Sequence, residues 1–238
     1  MKKTFQYFPE ERMVAVKNGN PDLVKIGYEE HMFNDDYWLY SDGVNPARIN
    51  KSAHQLICYF KDLFSITGTV TDKYIIGDIG AGAGSMIQQL HNAGYSAGGC
   101  EYSESGRRLA KERFSIDLEF CDLRTRLNYP DNHFDWSYCV GVLSMIPDGF
   151  MENAVRELLR ITRYGVLVNV GADIANNKVD RRGNPHHLTP INSAGMWKLI
   201  HGIGGYDWTS IQPPQKNKYG IGVCNEFACL IGKTPWPF

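Results

Sequence analysis

The sequence predicts an α/β fold, a mostly parallel sheet covered by helices on both faces. Three observations carry this. Short apolar runs alternate with amphipathic helical patterns from residue 74 onward, three glycines at alternate positions follow the first of those runs, and the chain closes with two strand-like runs that have no helix between them. Strands separated by a helix can run parallel. The last two lack that crossover and must pair antiparallel.

Taken in order, residues 1 to 46 are aromatic, charged and irregular, and carry too many large apolar side chains for a solvated tail. From Ala47 to Phe64, Ile49, Ala53, Leu56, Ile57, Phe60 and Phe64 recur at helical spacing. A strand is expected at 74–79. Helices are expected near 85–93, 103–113, 150–163 and 192–201, and strands near 96–101, 117–121, 134–140 and 164–170. The closing pair falls at 206–211 and 222–231, and no internal repeat is visible.

Bulk properties exclude several classes. At 238 residues the chain suits one large α/β domain, and a second full domain would be cramped. The 25 Lys and Arg are balanced by 26 Asp and Glu and are scattered, with only Lys2-Lys3, Arg107-Arg108 and Arg181-Arg182 adjacent. Such a surface has no footprint for extended nucleic acid or an anionic membrane. The six cysteines, Cys58, Cys100, Cys121, Cys139, Cys224 and Cys229, form no C-x-x-C pair. Four of them lie in apolar strand-like runs, as small buried hydrophobes do, which disfavours both zinc and disulfides. The N-terminus lacks the apolar core of a signal peptide and no run is long enough to span a bilayer, so a soluble cytoplasmic protein is expected.

The chemistry concentrates in Tyr74-Ile75-Ile76-Gly77-Asp78-Ile79-Gly80-Ala81-Gly82-Ala83-Gly84. A strand, a tight turn and a helix N-terminus in that order let backbone approach a ligand without intervening side chains. The dinucleotide fingerprint G-x-G-x-x-G wants its third glycine where Ser85 stands, so this turn departs from it. Asp78 sits at the strand's C-terminal end, the ligand-binding edge of open α/β sheets. Glu101 ends the next strand about 20 residues after the first glycine, the spacing at which a carboxylate reaches ribose hydroxyls. A plainer reading makes the glycines a cramped corner and Glu101 a solvated helix neighbour. The two features occurring together at this spacing favour a ligand site.

This ordered set resembles the class I S-adenosylmethionine-dependent methyltransferases over roughly residues 70 to 232. Asp78 to Gly84, with Gly80, Gly82 and Gly84, looks like the motif that wraps the methionine portion of the cofactor. Glu101 matches the ribose-binding acid, with Tyr102 beside the adenine. Phe120-Cys121-Asp122-Leu123 resembles the third-strand motif, whose Asp contacts the adenine amino group. Phe134 to Asp148 is similar to the fourth-strand motif and its turn, where Cys139 and Gly141 would line the cofactor through their backbone, and Ala154 to Val168 is similar to the helix and fifth strand that follow. The resemblance implies a Rossmann-like seven-stranded sheet in the order 3-2-1-4-5-7-6 with the last strand antiparallel. It also implies S-adenosyl-L-methionine as cofactor, S-adenosyl-L-homocysteine as product, and a methyltransferase domain over 47–238. Residues 1–46 would be an aromatic extension that caps cofactor or substrate.

Within the class, Asp35 to Tyr40, His187-Leu188-Thr189 and Trp197 resemble segments of glycan-tailoring enzymes. A small molecule or glycan precursor is therefore the expected substrate, with Tyr37, Trp38 and Tyr40 as candidates to stack on it. Many relatives carry a His where Met145 stands, and a thioether cannot act as a base. His186 and His187, in a loop expected over the sheet's C-terminal edge, are the candidate bases. The fourth strand lacks the Pro-Pro of nucleic-acid amino methylases, and no Pro-Cys nucleophile is present. No nucleic-acid, membrane or metal partner is expected, and oligomeric state is not readable. Two rivals stay open, a non-catalytic binding or scaffold protein on the same fold and a nicotinamide-dependent oxidoreductase.

Overall fold

A computed structural model describes residues 4–8, 12–16, 25–26, 74–146, 148–169, 193–204, 206–211 and 228–233. The N-terminal segment differs from its expectation as irregular. It forms β1 (Thr4–Phe8), β2 (Arg12–Val16) and β3 (Lys25–Ile26), an antiparallel three-stranded sheet in that order. The reason is local: Phe5 and Tyr7 alternate with Thr4 and Gln6, and the register sets Phe5 opposite Ala15 and Tyr7 opposite Met13. A five-residue alternation is easily lost in an aromatic, charged stretch. The expected helix over 47–64 and the boundary at 46/47 lie outside the described residues.

The main sheet comprises β4 (Ile75–Ile79), β5 (Ser96–Glu101), β6 (Glu119–Phe120), β7 (Phe134–Cys139), β8 (Thr162–Asn169), β9 (Tyr206–Ile211) and β10 (Ala228–Lys233). Its order is β6-β5-β4-β7-β8-β10-β9. Strands β4 to β8 pair parallel with one another, whereas β10 runs antiparallel to both β8 and β9. The architecture is the mostly parallel, Rossmann-like one the sequence predicts. The described part of the last strand begins at Ala228, and the earlier half of the expected run lies outside the described residues.

The helices are α1 (Ser85–Asn92), α2 (Glu104–Phe114), α3 (Met151–Ile161) and α4 (Ser193–Ile203). Each has a local cause. The Ser103 hydroxyl caps α2 by accepting from Gly106 N–H at 3.0 Å, and Ser115 ends that helix in the left-handed region at φ 58°. Along α3, Met151, Ala154, Val155, Leu158, Leu159 and Ile161 form one buried stripe. At roughly 1.5–3 kcal/mol for each fully buried large apolar side chain, that stripe outweighs any capping contribution to α3.

Two of the three buried clusters among the described residues cover the faces of the sheet. On one face α3 and α4 cover Ile79, Cys100, Phe134, Cys139, Val166 and Val168. On the other, Leu90 of α1 packs with Ile76, Tyr95, Trp136, Tyr138 and Leu167. Covered on both sides, β7 buries all six of its residues. Strand β4 lies between β5 and β7, with Asp78 opposite Gly99 on one side and Tyr138 on the other. A Cβ at Gly99 would lie 2.1 Å from the Asp78 carbonyl oxygen, so only glycine lets these two strands approach so closely. The C-terminal ends of β4, β5 and β7 thereby meet in one place.

Candidate functional site

The glycine turn fills that place. Gly80, Gly82 and Gly84 all have positive φ, at 86°, 55° and 75°. At Gly80 a Cβ would also lie 2.3 Å from Val142 Cγ2, so conformation and space both demand glycine there. Three of the turn's donors are spent on the end of β5. Gly80 N–H and Ala81 N–H both donate to the Cys100 carbonyl, at 2.9 and 3.0 Å, and Gly82 N–H donates to Glu101 Oε2 at 2.8 Å. An anion-binding turn keeps such groups aimed at its ligand. This one uses them to fasten β4 to the end of β5.

Glu101 is the other half of the fastening. Its second oxygen, Oε1, accepts from Ser103 N–H at 2.9 Å, which ties it to the start of α2. Helix α2 presses directly on this joint, because a Cβ at Gly106 would lie 2.9 Å from Glu101 Cγ and 3.0 Å from the Gly82 carbonyl. Burial pushes the Glu101 carboxyl up, while the Ser103 and Gly82 amides and the nearby Arg107 guanidinium pull it down, and the net direction is upward. Arg107 donates to the backbone carbonyls of Glu101, at 2.8 Å, and Tyr102. A carboxylate has about four lone-pair sites, so with one amide on each oxygen Glu101 keeps acceptor capacity for a pair of hydroxyls.

Asp78 lies one strand away and is only 4% exposed. Its carboxyl is pushed up to about 7, first by burial, with the Tyr138 hydroxyl opposing and the Glu101 charge adding. An acid so placed carries a proton near neutrality unless a cation arrives beside it. After β7, Gly141 takes φ 78° and a Cβ there would meet nothing within 4 Å, so this turn faces open space. Cys139 is buried and its thiol is pushed well up, chiefly by burial. Met145 ends a short 3-10 turn over Leu143–Met145 and packs, half-buried, against the α3 core.

The third group is Asp122 and Leu123, just past β6. Leu123 is buried, and its carbonyl accepts from Asn153 Nδ2 of α3 at 3.0 Å. Asp122 is held by Arg124 through four contacts. Oδ1 accepts from the Arg124 backbone N–H at 2.9 Å and from Nε at 3.0 Å, and Oδ2 accepts from Nε at 3.1 Å and Nη2 at 2.8 Å. Tyr102 is half-buried between this group and Glu101, with its ring 5.9 Å from that of Phe120. Tyr129 closes the loop by donating its hydroxyl to the Gly99 carbonyl at 3.0 Å.

Of the residues singled out in the sequence, Asp78, Gly80, Gly82, Gly84, Glu101, Tyr102, Asp122, Leu123, Cys139 and Gly141 are all described and lie along the C-terminal ends of β4 to β7. His186, His187, Tyr37, Trp38 and Tyr40 lie outside the described residues, as does the side chain of Trp197. Reading the sequence missed Tyr138, which reaches Asp78 only through strand register, and Arg124, whose two-residue spacing from Asp122 was the available signal. Cys100, Cys121 and Cys139 are free and buried, and no metal-binding cluster occurs among the described residues. No described helix is long and apolar enough to cross a membrane.

Residues 76–165 match a family model described as a methyltransferase domain. No curated protein matches the sequence significantly. Among solved structures, the chain is similar to magnesium protoporphyrin IX methyltransferase from Synechocystis PCC 6803 with bound S-adenosylhomocysteine, at 18% identity and a TM-score of 0.57, over 85% of this chain and 95% of that one. It is similar to the plantazolicin methyltransferase BpumL in complex with S-adenosylhomocysteine, at 13% identity and 0.56, over 83% and 93%. A SAM-dependent methyltransferase from Archaeoglobus fulgidus aligns at 12% identity and 0.52, over 76% and 94%. At such identities the likeness is one of fold.

Proposed function

We propose, from a chain whose residues 76–165 match a methyltransferase-domain model, that the protein is a class I S-adenosylmethionine-dependent methyltransferase that transfers a methyl group to a hydroxyl or similar nucleophile of a small molecule or glycan precursor. The observation that carries the cofactor half is the joint of Glu101 to Gly82 N–H at 2.8 Å. It consumes the amide that a pyrophosphate would need and leaves a buried acid facing the turn. A neutral diol and a cationic group suit that environment, and a dinucleotide's phosphates do not.

In this reading Glu101 accepts from the ribose hydroxyls, and Gly80, Gly82 and Gly84 give the methionine portion room. Asp78 faces its ammonium, Tyr102 and Leu123 flank the adenine, and Asp122 accepts from the purine amino group. Backbone of Cys139 and Gly141 lines the remaining wall. The cofactor, when bound, supplies an electrophilic methyl on a sulfonium. The protein's part is to orient the acceptor in line with it and exclude water, which needs little covalent help. A hydroxyl acceptor must also lose a proton, and His186 or His187 is assigned that role, with Tyr37, Trp38 and Tyr40 against the substrate. The near-neutral charge of −1 supports a small acceptor over polymeric nucleic acid.

Calorimetric titration with S-adenosylhomocysteine tests the cofactor half, and a folded sample that gives no heat of binding would sink it. The acceptor half is tested by incubation with methyl-labelled cofactor and pools of hydroxyl-bearing metabolites, sugars and nucleic acids, read by mass spectrometry. Label confined to nucleic acid, or binding with no turnover in any pool, would overturn the acceptor assignment and favour a binding or scaffold role.

A further inference from the structure

We infer that Asn153, Glu157 and Arg160, on one face of α3, are positioning residues that hold the β6–β7 loop ready for ligand and so set cofactor affinity without touching the cofactor. The inference rests on the proposed placement of the cofactor beside Leu123, near the start of that loop. Its own basis is where the loop's backbone hydrogen bonds go. Residues 121–133 contain neither helix nor strand, so their amides and carbonyls need partners from elsewhere. Helix α3 supplies them. Asn153 Nδ2 donates to the Leu123 carbonyl at 3.0 Å. Glu157 Oε2 accepts from Leu127 N–H at 2.7 Å, and Arg160 Nη2 donates to the Leu127 carbonyl at 3.0 Å. Arg160 Nη1 donates to the Tyr129 carbonyl at 2.7 Å, and the Arg160 carbonyl accepts from Asn132 N–H at 2.8 Å. Spaced at i, i+4 and i+7, three residues of one helix stand in for the neighbouring strand that the loop lacks.

Stability alone does not call for the pair at the centre of this face. The Arg160 and Glu157 side chains are 14% and 10% exposed and are joined at 2.7 and 2.9 Å. A buried ion pair recovers little beyond its own desolvation, and an apolar pair of similar volume often serves a core as well. What an apolar pair cannot do is hold Leu127 by both its N–H and its carbonyl. A second anchor lies on the sheet, where the Tyr129 hydroxyl donates to the Gly99 carbonyl of β5 at 3.0 Å. Helix and strand together fix the loop from two sides, with Leu123 at its β6 end. A loop that is in place only part of the time binds in proportion to that fraction, and apparent affinity falls by the same factor.

The test is calorimetric affinity of the full chain for S-adenosylhomocysteine, paired with amide exchange at Leu127 and Asn132 with and without that ligand. Arg160→Lys keeps the charge beside Glu157 and loses the planar fork that reaches two carbonyls. Asn153→Ala removes only a part-buried donor, a loss the fold tolerates. Ser137→Ala is the stability control, since it deletes a buried hydroxyl pair with Thr162, at 2.7 Å, outside the loop. Affinity should fall about tenfold in Arg160→Lys and about fivefold in Asn153→Ala, and stay within about twofold of wild type in Ser137→Ala. Exchange at Leu127 should quicken in Arg160→Lys. Saturating ligand should restore that protection by about the factor of affinity lost, because linkage is reciprocal. Losses in both α3 variants no greater than in Ser137→Ala would overturn the inference and make the face a structural brace. Ligand that binds Arg160→Lys without restoring protection would overturn it too. Wild type failing to bind S-adenosylhomocysteine is a different result, because it removes the cofactor reading itself and this inference with it.

Discussion

Two carboxylates end neighbouring parallel strands of this sheet, Asp78 on β4 and Glu101 on β5, and both are about 95% buried. Their surroundings differ in kind. Glu101 receives a backbone N–H on each oxygen and has Arg107 nearby, whereas Asp78 is offset chiefly by the Tyr138 hydroxyl and feels the Glu101 charge against it. The same residue chemistry at the same sheet edge thus yields two devices. Glu101 is built into the scaffold as an acceptor that fastens turn, strand and helix. Asp78 is left holding a proton near neutrality, ready to exchange it for a cation.

Replacing Glu101 gives the largest expected effect. In Glu101→Gln one of two buried amides, of Gly82 or Ser103, meets an NH2 group in place of an oxygen. That costs about 1–3 kcal/mol of stability, seen as a lower thermal midpoint, and affinity for S-adenosylhomocysteine should fall by about 100-fold or more. Asp78→Asn separates the two devices. It should weaken the same ligand by about tenfold while leaving the ligand-free protein at least as stable as wild type at pH 8, in titration and melting. An equal loss of stability in both variants would break the comparison.

The pH dependence follows from the direction of the Asp78 shift. With its folded value raised to about 7 and an ordinary unfolded value near 3.8, the folded chain holds a proton that the unfolded chain has released across that interval. Stability of the ligand-free protein should therefore fall as pH rises from about 4 to about 7, and level off above. Binding of a cationic ligand should strengthen over the approach to pH 7. Asp78→Asn should flatten both curves. In Tyr138→Phe the opposing hydroxyl is gone, so the midpoint of the binding curve should move to higher pH. Ser103→Ala should have the smallest effect, about 1 kcal/mol of stability from the lost cap, with ligand affinity little changed, because Glu101 is held by the Ser103 amide and not by its hydroxyl.

The sequence made one device far more legible than the other. Glu101 and the glycines announce themselves by spacing along the chain, because the strand–turn–helix unit that joins them is local. Asp78 was readable as a position, but its partner Tyr138 is 60 residues away and arrives only through the register of β4 on β7. Arg124 was hidden differently. Two residues from Asp122, it looked like an ordinary turn residue, and only the folded turn brings both oxygens within reach of its fork. The order of strands and helices from 74 to 211 was legible from periodicity, with boundaries shifted by one or two residues. Strands β1 to β3 were not, since five-residue alternations among aromatic and charged residues give little periodic signal.

The amides of Gly80, Ala81 and Gly82, all spent on the end of β5, carry a last consequence. Those three groups are not open to a phosphate. Adenosine compounds that carry one, among them the nucleoside triphosphates and the nicotinamide dinucleotides, meet buried acids where a phosphate trap would offer open N–H groups. Raising the concentration of inorganic phosphate or of such nucleotides should leave occupancy by the methyl donor untouched. The protein would then sort adenosine derivatives by the charge of what hangs from the ribose, before the purine is ever read.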